Sequence, residues 1–214
     1  MASEAGQFTR WAALAAGEGG GRVASQFFAR SENPGIDDRI FVINTNRSDI
    51  RNTIQRMQEQ MQTDEEDDLF GQFALDFGST QGVGNNFALG KEAAQSDLNR
   101  IVEEIKPRFT GSDAILYITT LGGGTGNGSV PYLINEFKRG LSDDLREEWM
   151  SDLIHAAFAI WPYYYEPPQR HFNAVCGLSR LLRRSGGGQN ADMVVLAANS
   201  HIDDSGGQGG DFGT

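Results

Sequence analysis

Residues 121–129 read LGGGTGNGS. Before them runs AILYITT (114–120), apolar and rich in β-branched side chains. After them comes VPYLINEFKR (130–139), with helical spacing. A chain that passes from strand to helix through glycines at 122, 123, 124, 126 and 128 lets its backbone approach a ligand closely. The N–H groups of such a loop and of the next helix's first turn can converge on an anion, and the hydroxyls of Thr125 and Ser129 add donors. Phosphate is the natural ligand. The alternative is a tight turn that holds nothing.

Outward from this loop the same alternation recurs. WAALAA (11–16) reads as a buried strand. GEGGGRVASQFFARSE (17–32) reads as a Gly-rich turn and then a helix that turns Val23, Ala24 and Phe27 inward. RIFVINTN (39–46) reads as a strand, and 48–62 as a helix with Ser48 as N-cap. The acidic stretch 63–80 reads as a loop and a short strand, QGVGNN (81–86) as a loop, and 87–109 as one long helix closing near Pro107. A strand at 113–120, the loop 122–128 and a helix at 129–139 follow. Then come a short helix within 143–151 and a strand at 153–161 ending at Pro162. The loop PYYYEPPQR leads to an amphipathic helix at 171–184, with Arg183 and Arg184 suited to its C-terminal dipole. A flexible turn, SGGGQN, and a last strand at 191–199 complete the pattern. No internal repeat is visible.

Continuous apolar strands alternating with helices predict an α/β fold: a three-layer, Rossmann-like parallel sheet with helices on both faces. Ligands of such sheets sit beyond the carboxyl ends of the strands. Polar or Gly-rich loops fall there after residues 16, 43, 120, 161 and 198, and five on one edge suit a long ligand. Residues 1–10 read as an N-terminal tail, 11–203 as the binding domain and 204–214 as a flexible Gly-rich end.

Composition narrows the function. There are 27 glycines among 214 residues, against a usual share of about 7%. With 29 acidic and 18 basic residues the net charge is −11, which argues against nucleic acid as a partner. An acidic surface also suits a high-salt cytoplasm; an ordinary acidic soluble protein is the plainer alternative. Cys176 is the only cysteine, so neither an intrachain disulfide nor a Cys-built zinc site is expected. No apolar run approaches ~18 residues, and the start MASEAGQFTR lacks a signal-peptide layout, so a cytoplasmic protein without membrane insertion is expected. His155, inside an apolar strand, reads as a satisfied core group, and Cys176 as core. His171 and His201 lie near the loops and could meet a ligand. Tyr163–Tyr165 either stack on a base or pack the loop. The acidic run 64–68 reads as solvated surface.

Two familiar phosphate motifs are excluded. No G-x-x-x-x-G-K-[ST] occurs, so there is no P-loop lysine. The first loop, AGEGGGR, departs from G-x-G-x-x-G because Arg22 holds the last position, and strand 39–46 does not end in an acid that would bind a dinucleotide ribose.

GGGTGNGS closely resembles GGGTG[TS]G, the phosphate loop of the tubulin/FtsZ superfamily, with Asn127 where that family carries Thr or Ser. AAGEGGGRVASQFF resembles the family's first nucleotide loop, with Glu18 at a position where glutamine is usual. INTN (43–46) resembles the family's INTD or NTA loop. GVGNNFALGKEAAQSDLNRI resembles the γ-phosphate-sensing loop and helix, nearest to the CetZ type. WPYYYEPPQR aligns without gaps on the FtsZ pattern KPFxFEGxKR. The resemblance runs from about residue 11 to 203 and fits a divergent archaeal, haloarchaeal member.

The resemblance implies GTP or GDP with Mg²⁺ as cofactors. Phosphates would lie over Gly122, Gly123, Gly124, Thr125, Gly126, Asn127 and Gly128, and over Gly19, Gly20 and Gly21, with Gly17, Glu18 and Arg22 of the same loop also binding the cofactor and Mg²⁺ near Glu18. Asn44 and Thr45 of the second loop, and Gly84, Asn85 and Asn86 of the third, would line the site. A carboxylate at Glu18 is compatible with phosphates when Mg²⁺ lies between them. Pro162, Glu166 as ribose acid and Arg170 near the phosphates come from the fifth motif, and Asn173 and Asn199 would read guanine. Self-association into filaments, or with a related family member, is implied, with GTP hydrolysis completed by a neighbouring subunit. The alternative is a nucleotide-binding regulator or scaffold without turnover. The family's G-x-x-N-x-D-x-x-D-like acidic segment is not matched, since Asp203, Asp204 and Asp211 are spaced differently. The chain therefore reads either as a fragment truncated before that segment or as a natural form without it.

Overall fold

The computed structural model describes residues 9–26, 39–61, 71–140, 148–185 and 188–199. Strand β1 (Trp11–Ala16) feeds directly into helix α1 (Gly17–Ser25). Strand β2 (Ile40–Asn44), helix α2 (Arg47–Met61) and strand β3 (Ala74–Asp76) follow. Helices α3 (Phe87–Ser96) and α4 (Leu98–Phe109) precede strand β4 (Ala114–Thr120) and helix α5 (Thr125–Lys138). Helix α6 (Glu148–Ser151), strand β5 (Ile154–Trp161) and helix α7 (Pro168–Leu181) come next. A short antiparallel pair, β6 (Arg184–Ser185) with β7 (Gly188–Gln189), precedes strand β8 (Met193–Ala198). The main sheet has the order β3-β2-β1-β4-β5-β8, parallel throughout. The three-layer parallel α/β architecture expected from the strand–helix alternation is the one observed.

Side-chain alternation along β1 separates the two layers. Ala12, Leu14 and Ala16 face a cluster built with Val102 and Ile105 of α4, Val130, Leu133 and Phe137 of α5, and Ala174 and Leu181 of α7. Ala13 and Ala15 face the other side, with Ala24 of α1 and Ile50, Ile54 and Met57 of α2. Each layer buries several large aliphatic side chains at about 1.5–3 kcal/mol apiece.

Several boundaries differ from the sequence expectation. The Gly-rich turn after β1 is already helical, so Ala24 is buried as expected while Val23 is half-buried; Phe27 lies outside the described residues. Helix α5 starts at Thr125, not 129, and helix α7 at Pro168, not 171. Pro168 suits a first helical position because its fixed φ is preset and its missing N–H needs no partner. Helix α2 is capped by Asn46, not Ser48: the Asn46 side-chain oxygen accepts from the N–H groups of Ser48 (2.9 Å) and Asp49 (3.4 Å). The helix expected at 87–109 is two helices that meet at Asp97, whose carboxylate accepts the Gly78 N–H at 2.9 Å. Helix α4 ends at Phe109, as expected, with Pro107 inside its last turn, where Ile105 and Phe109 on either side are held in the core. Arg183 and Arg184 lie past the end of α7, and the turn expected at SGGGQN carries the β6–β7 pair. Cys176 is half-buried rather than core. The acidic run 64–68, His201 and Asp203, Asp204 and Asp211 lie outside the described residues. No helix among the described residues is long and apolar enough to cross a membrane.

Candidate functional site

Strand β1 continues to β2 and β3 on one side, whereas β4 continues to β5 and β8 on the other. The loops leaving β1 and β4 therefore part, and ligands of open α/β sheets bind at such a reversal. A cleft of about 620 Å³ opens there. Two helix N-termini point into it, α1 from Gly17 and α5 from Thr125, each carrying unpaired N–H groups and the positive end of a helix dipole. Gly17 has φ +77°, a left-handed conformation that turns the chain straight from β1 into α1.

Between these termini the cleft floor is tied together by short side chains. The hydroxyls of Thr45 and Thr125 lie 2.6 Å apart, and Thr125 also donates to the Asn44 side-chain oxygen at 3.4 Å. The Asn44 amide donates to Asp49 at 3.3 Å. Gly82 N–H donates to the Thr45 carbonyl at 2.7 Å, which seats the 81–86 loop on the rim.

Burial raises the Asp49 carboxyl above its ordinary value. The nearby Glu18 charge raises it further, against the hydrogen bond from Asn44 and the charge of Arg22. Glu18 itself is paired with Arg22 one helical turn on. Two carboxylates thus face one cleft and the Glu18 charge raises the cost of ionising Asp49, an arrangement that a divalent cation relieves.

Glu166 holds the opposite wall. It accepts the Tyr163 backbone N–H at 2.8 Å and an Arg170 guanidinium N–H at 2.5 Å. Glu166 is largely buried and Arg170 about half-exposed, so the carboxylate is fixed and the cation faces the cleft mouth. Tyr163 stacks on Tyr165 at 5.0 Å between ring centres, and both line the cleft, whereas Tyr164 is 81% exposed.

Most of the expected site residues meet here. Gly17, Glu18, Gly19, Arg22, Asn44, Thr45, Gly84, Asn85, Gly122, Gly123, Gly124, Thr125, Gly126, Pro162, Glu166, Arg170 and Asn199 all line the cleft. Six others lie behind it. Gly20 turns toward the Ile118 carbonyl and Gly21 toward Thr53. Asn86 caps α3 by accepting from Ala88 N–H (3.0 Å) and Leu89 N–H (3.3 Å). Gly128 packs against α3. Asn127 is fully buried, donating to the Asn173 carbonyl at 2.8 Å and accepting from Arg180 at 3.0 Å. Asn173 is also fully buried and donates to the carbonyls of Asn85 (2.7 Å) and Gly122 (3.1 Å). It braces two cleft loops from below. His171 does not line the cleft, and His155 is a satisfied core group, as expected.

Asp49, Thr120 and Ile160 also line the cleft and lie outside the stretches read as nucleotide loops, whereas Asn46, Gly82 and Val83 line it from within the INTN and GVGNN stretches without being singled out there. Asp49 had a legible signal: it sits in the first turn of the helix that follows the INTN loop, where that helix starts beside the site.

A family model described as the GTPase domain of the Tubulin/FtsZ family matches residues 11–206. The chain is 31% identical over 121 residues to cell division protein FtsZ 1 of Methanocaldococcus jannaschii, covering 56% of this chain and 28% of that protein. It is 30% identical over 128 residues to the tubulin-like protein CetZ1 of Haloferax volcanii, covering 58% of this chain and 30% of that one. Its fold matches a GTPγS-bound protofilament of CetZ2 from Haloferax volcanii with a TM-score of 0.68 at 22% identity, over 90% of this chain and 50% of that one. The matched region thus spans about half, or less, of each relative's length.

Proposed function

The chain belongs to the Tubulin/FtsZ family through its GTPase domain, and from that premise we propose that it binds GTP or GDP with Mg²⁺ in the cleft above β1 and β4 and assembles into filaments with further copies of itself or a related chain. The observation that carries this reading is the convergence of the α1 and α5 N-termini on a cleft whose far wall holds the Glu166–Arg170 pair. Phosphates fit the N–H groups around Gly17–Gly19 and Gly122–Gly126, and Arg22 and Arg170 add positive charge. Glu166 suits a ribose hydroxyl. Tyr163, Tyr165 and Asn199 line the remaining space for a base. The GTPγS-bound CetZ2 protofilament supports both the ligand class and the assembly.

Glu18 and Asp49 are the residues that would hold Mg²⁺. Their hard oxygen donors suit the ion, and Mg²⁺ typically uses one or two carboxylates with phosphate oxygens and water. Bound there, it would neutralise phosphate charge. Hydrolysis would be attack of water on the terminal phosphate, with backbone N–H groups stabilising the charge that develops. Among the described residues, the carboxylates lining the cleft are each engaged within the chain: Glu18 with Arg22, Asp49 with Asn44, and Glu166 with Tyr163 and Arg170. That supports a water-activating acid supplied by a neighbouring subunit. It equally favours a second reading, a regulator or scaffold that binds nucleotide without turning it over.

Calorimetry of the 214-residue chain with GTP, GDP and ATP, with and without Mg²⁺, tests the binding. The expected result is guanine-nucleotide binding at least about tenfold tighter than ATP binding, weakened by Arg170→Gln. No binding of any nucleotide overturns the proposal. Phosphate release per chain that rises with protein concentration supports a neighbour-completed site, and binding without release at any concentration supports the second reading.

A further inference from the structure

A second groove, of about 690 Å³, shares no lining residue with the nucleotide cleft. It runs along α5 between α3, the end of α7 and the β6–β7 pair. Its charged lining residues are Lys91, Lys138, Arg139, Arg180 and Arg183, with Glu136 alone of opposite sign. Five of the chain's 18 basic residues therefore gather in one groove of a molecule whose net charge is −11. We propose that this groove binds an acidic peptide segment, extended along α5.

The groove is built before any ligand arrives. Arg180 lies over the Phe87 ring at 4.2 Å, donates to Asn127 at 3.0 Å and to the Cys176 carbonyl at 3.0 Å, which joins α3, α5 and α7. Asn190 donates to the carbonyls of Pro131 (2.9 Å) and Arg180 (3.0 Å), which pins the β6–β7 wall. Lys138 is paired with Asp192. Lys91, Arg139 and Arg183 are exposed and make no ion pair among the described residues. Among the described residues the groove thus keeps a surplus of positive charge, and burial lowers the Arg180 guanidinium, a cost that an added anion offsets.

Spacing and chemistry select a peptide over a compact anion. Gly128 and Arg139, both in the lining, stand about 16 Å apart along the helix axis. Lys91 and Arg180 flank the first end and Arg139 the second. One phosphate cannot bridge that distance, whereas about five extended residues can. Amides of Gln95, Asn135, Gln189 and Asn190 lie among the cations and offer acceptors as well as donors. Backbone N–H groups of a peptide can use those acceptors; polyphosphate has no donor to offer them. A long nucleic acid would meet the acidic remainder of the surface.

Fluorescence anisotropy on the 214-residue chain tests this, with a labelled pentaglutamate as probe and pentaglutamine, tripolyphosphate and a six-residue oligothymidylate as competitors. The expected result is saturable pentaglutamate binding that weakens as salt rises and that none of the three competitors displaces at equal concentration. Arg139→Gln with Arg183→Gln, both exposed, should weaken it about tenfold or more. Arg51→Gln with Lys106→Gln, which removes the same charge elsewhere, should leave it within about twofold. The nucleotide affinity of each double variant should match the parent, so failure here and failure of the cleft reading are read separately. No pentaglutamate binding, equal loss in both double variants, no loss in the groove variant, or displacement by any of the three competitors overturns the proposal.

Discussion

His155 shows how one buried side chain couples stability to pH. Its Nε2 donates to the Met150 carbonyl at 2.9 Å, so Nδ1 carries no proton and accepts from the Tyr117 hydroxyl at 2.8 Å. Burial pushes the imidazole down to about 4, against the Met150 carbonyl and Asp192, which favour the charged form; Lys138 lowers it further. The unfolded imidazole titrates near 6.5. Below that value the unfolded chain takes up a proton that the folded chain refuses, so stability is complete above about 6.5 and falls toward pH 4. The loss amounts to about 3 kcal/mol at most. Urea unfolding of the parent and of His155→Gln at pH 7.5 and pH 5 checks this: the variant should be less stable at pH 7.5 yet lose less on acidification. A parallel loss in both would mean that other groups carry the acid sensitivity. Asn173 makes a second case. Removing its amide in Asn173→Ala leaves the Asn85 and Gly122 carbonyls unpartnered, at about 1–3 kcal/mol. As a brace for two loops it should weaken GTP and ATP binding by the same factor, measured by calorimetry; a loss confined to GTP would make it a base reader. The sequence shows Asn173 as polar and close to the Glu166–Arg170 motif, which suggests ligand contact. Its burial depends on loops 85 and 122, distant in sequence, and no local pattern reports that. Glu166 and Arg170 were legible because they fall in one short motif, WPYYYEPPQR, whose members stay close in space through the chain itself: Glu166 lies in the loop and Arg170 in the first turn of α7.

At the scale of elements, the strands were legible as apolar runs and so were the starts of α2 and α3, whereas the starts of α1, α5 and α7 were not. Glycine reads as a turn, yet α1 and α5 begin within the glycine clusters. The reason is tertiary. A Cβ on Gly128 would lie 2.6 Å from the Lys91 nitrogen and 2.8 Å from the Gly90 carbonyl carbon, so glycine there admits α3 against the first turn of α5. The intrinsic helix cost of glycine, about 1 kcal/mol, is offset by that close packing. Gly128→Ala gains helix propensity and still should destabilise the fold by about 1–3 kcal/mol, because backbone atoms must shift. Thermal and urea unfolding check this, and an unchanged or raised midpoint would mean that α3 moves aside freely. The break at Asp97 has the same kind of origin, since the Asp97 carboxylate is recruited by Gly78 from a loop that its local sequence does not reveal.

At the scale of the whole molecule, charge decides the response to salt. The chain carries 29 acidic and 18 basic residues. Among the described residues its ion pairs mostly have at least one half-exposed partner, among them Arg10–Asp113, Glu18–Arg22 and Arg170–Glu166. Such pairs are weak, because solvent competes for both partners, and they are screened by salt. Self-repulsion from a net charge of −11 acts across the whole surface and is screened too, with the opposite effect on stability. Like-sign and opposite-sign pairs are nearly equal in number, so it is the net charge of −11 that tips the long-range balance toward repulsion. Raising NaCl from about 0.05 M to about 1 M shortens the screening length from above 10 Å to about 3 Å. The melting temperature should rise over that range, most steeply below about 0.3 M, where the screening length changes most. Sodium sulfate at matched ionic strength separates two causes. Screening predicts coincident curves at low ionic strength, whereas a general strengthening of apolar burial predicts a sulfate curve that lies above the chloride curve and keeps rising. A melting temperature that falls with NaCl would place the ion pairs above the repulsion. The basic groove along α5 sharpens the comparison, since Arg139→Gln with Arg183→Gln makes the chain more acidic by two charges and should steepen the low-salt rise.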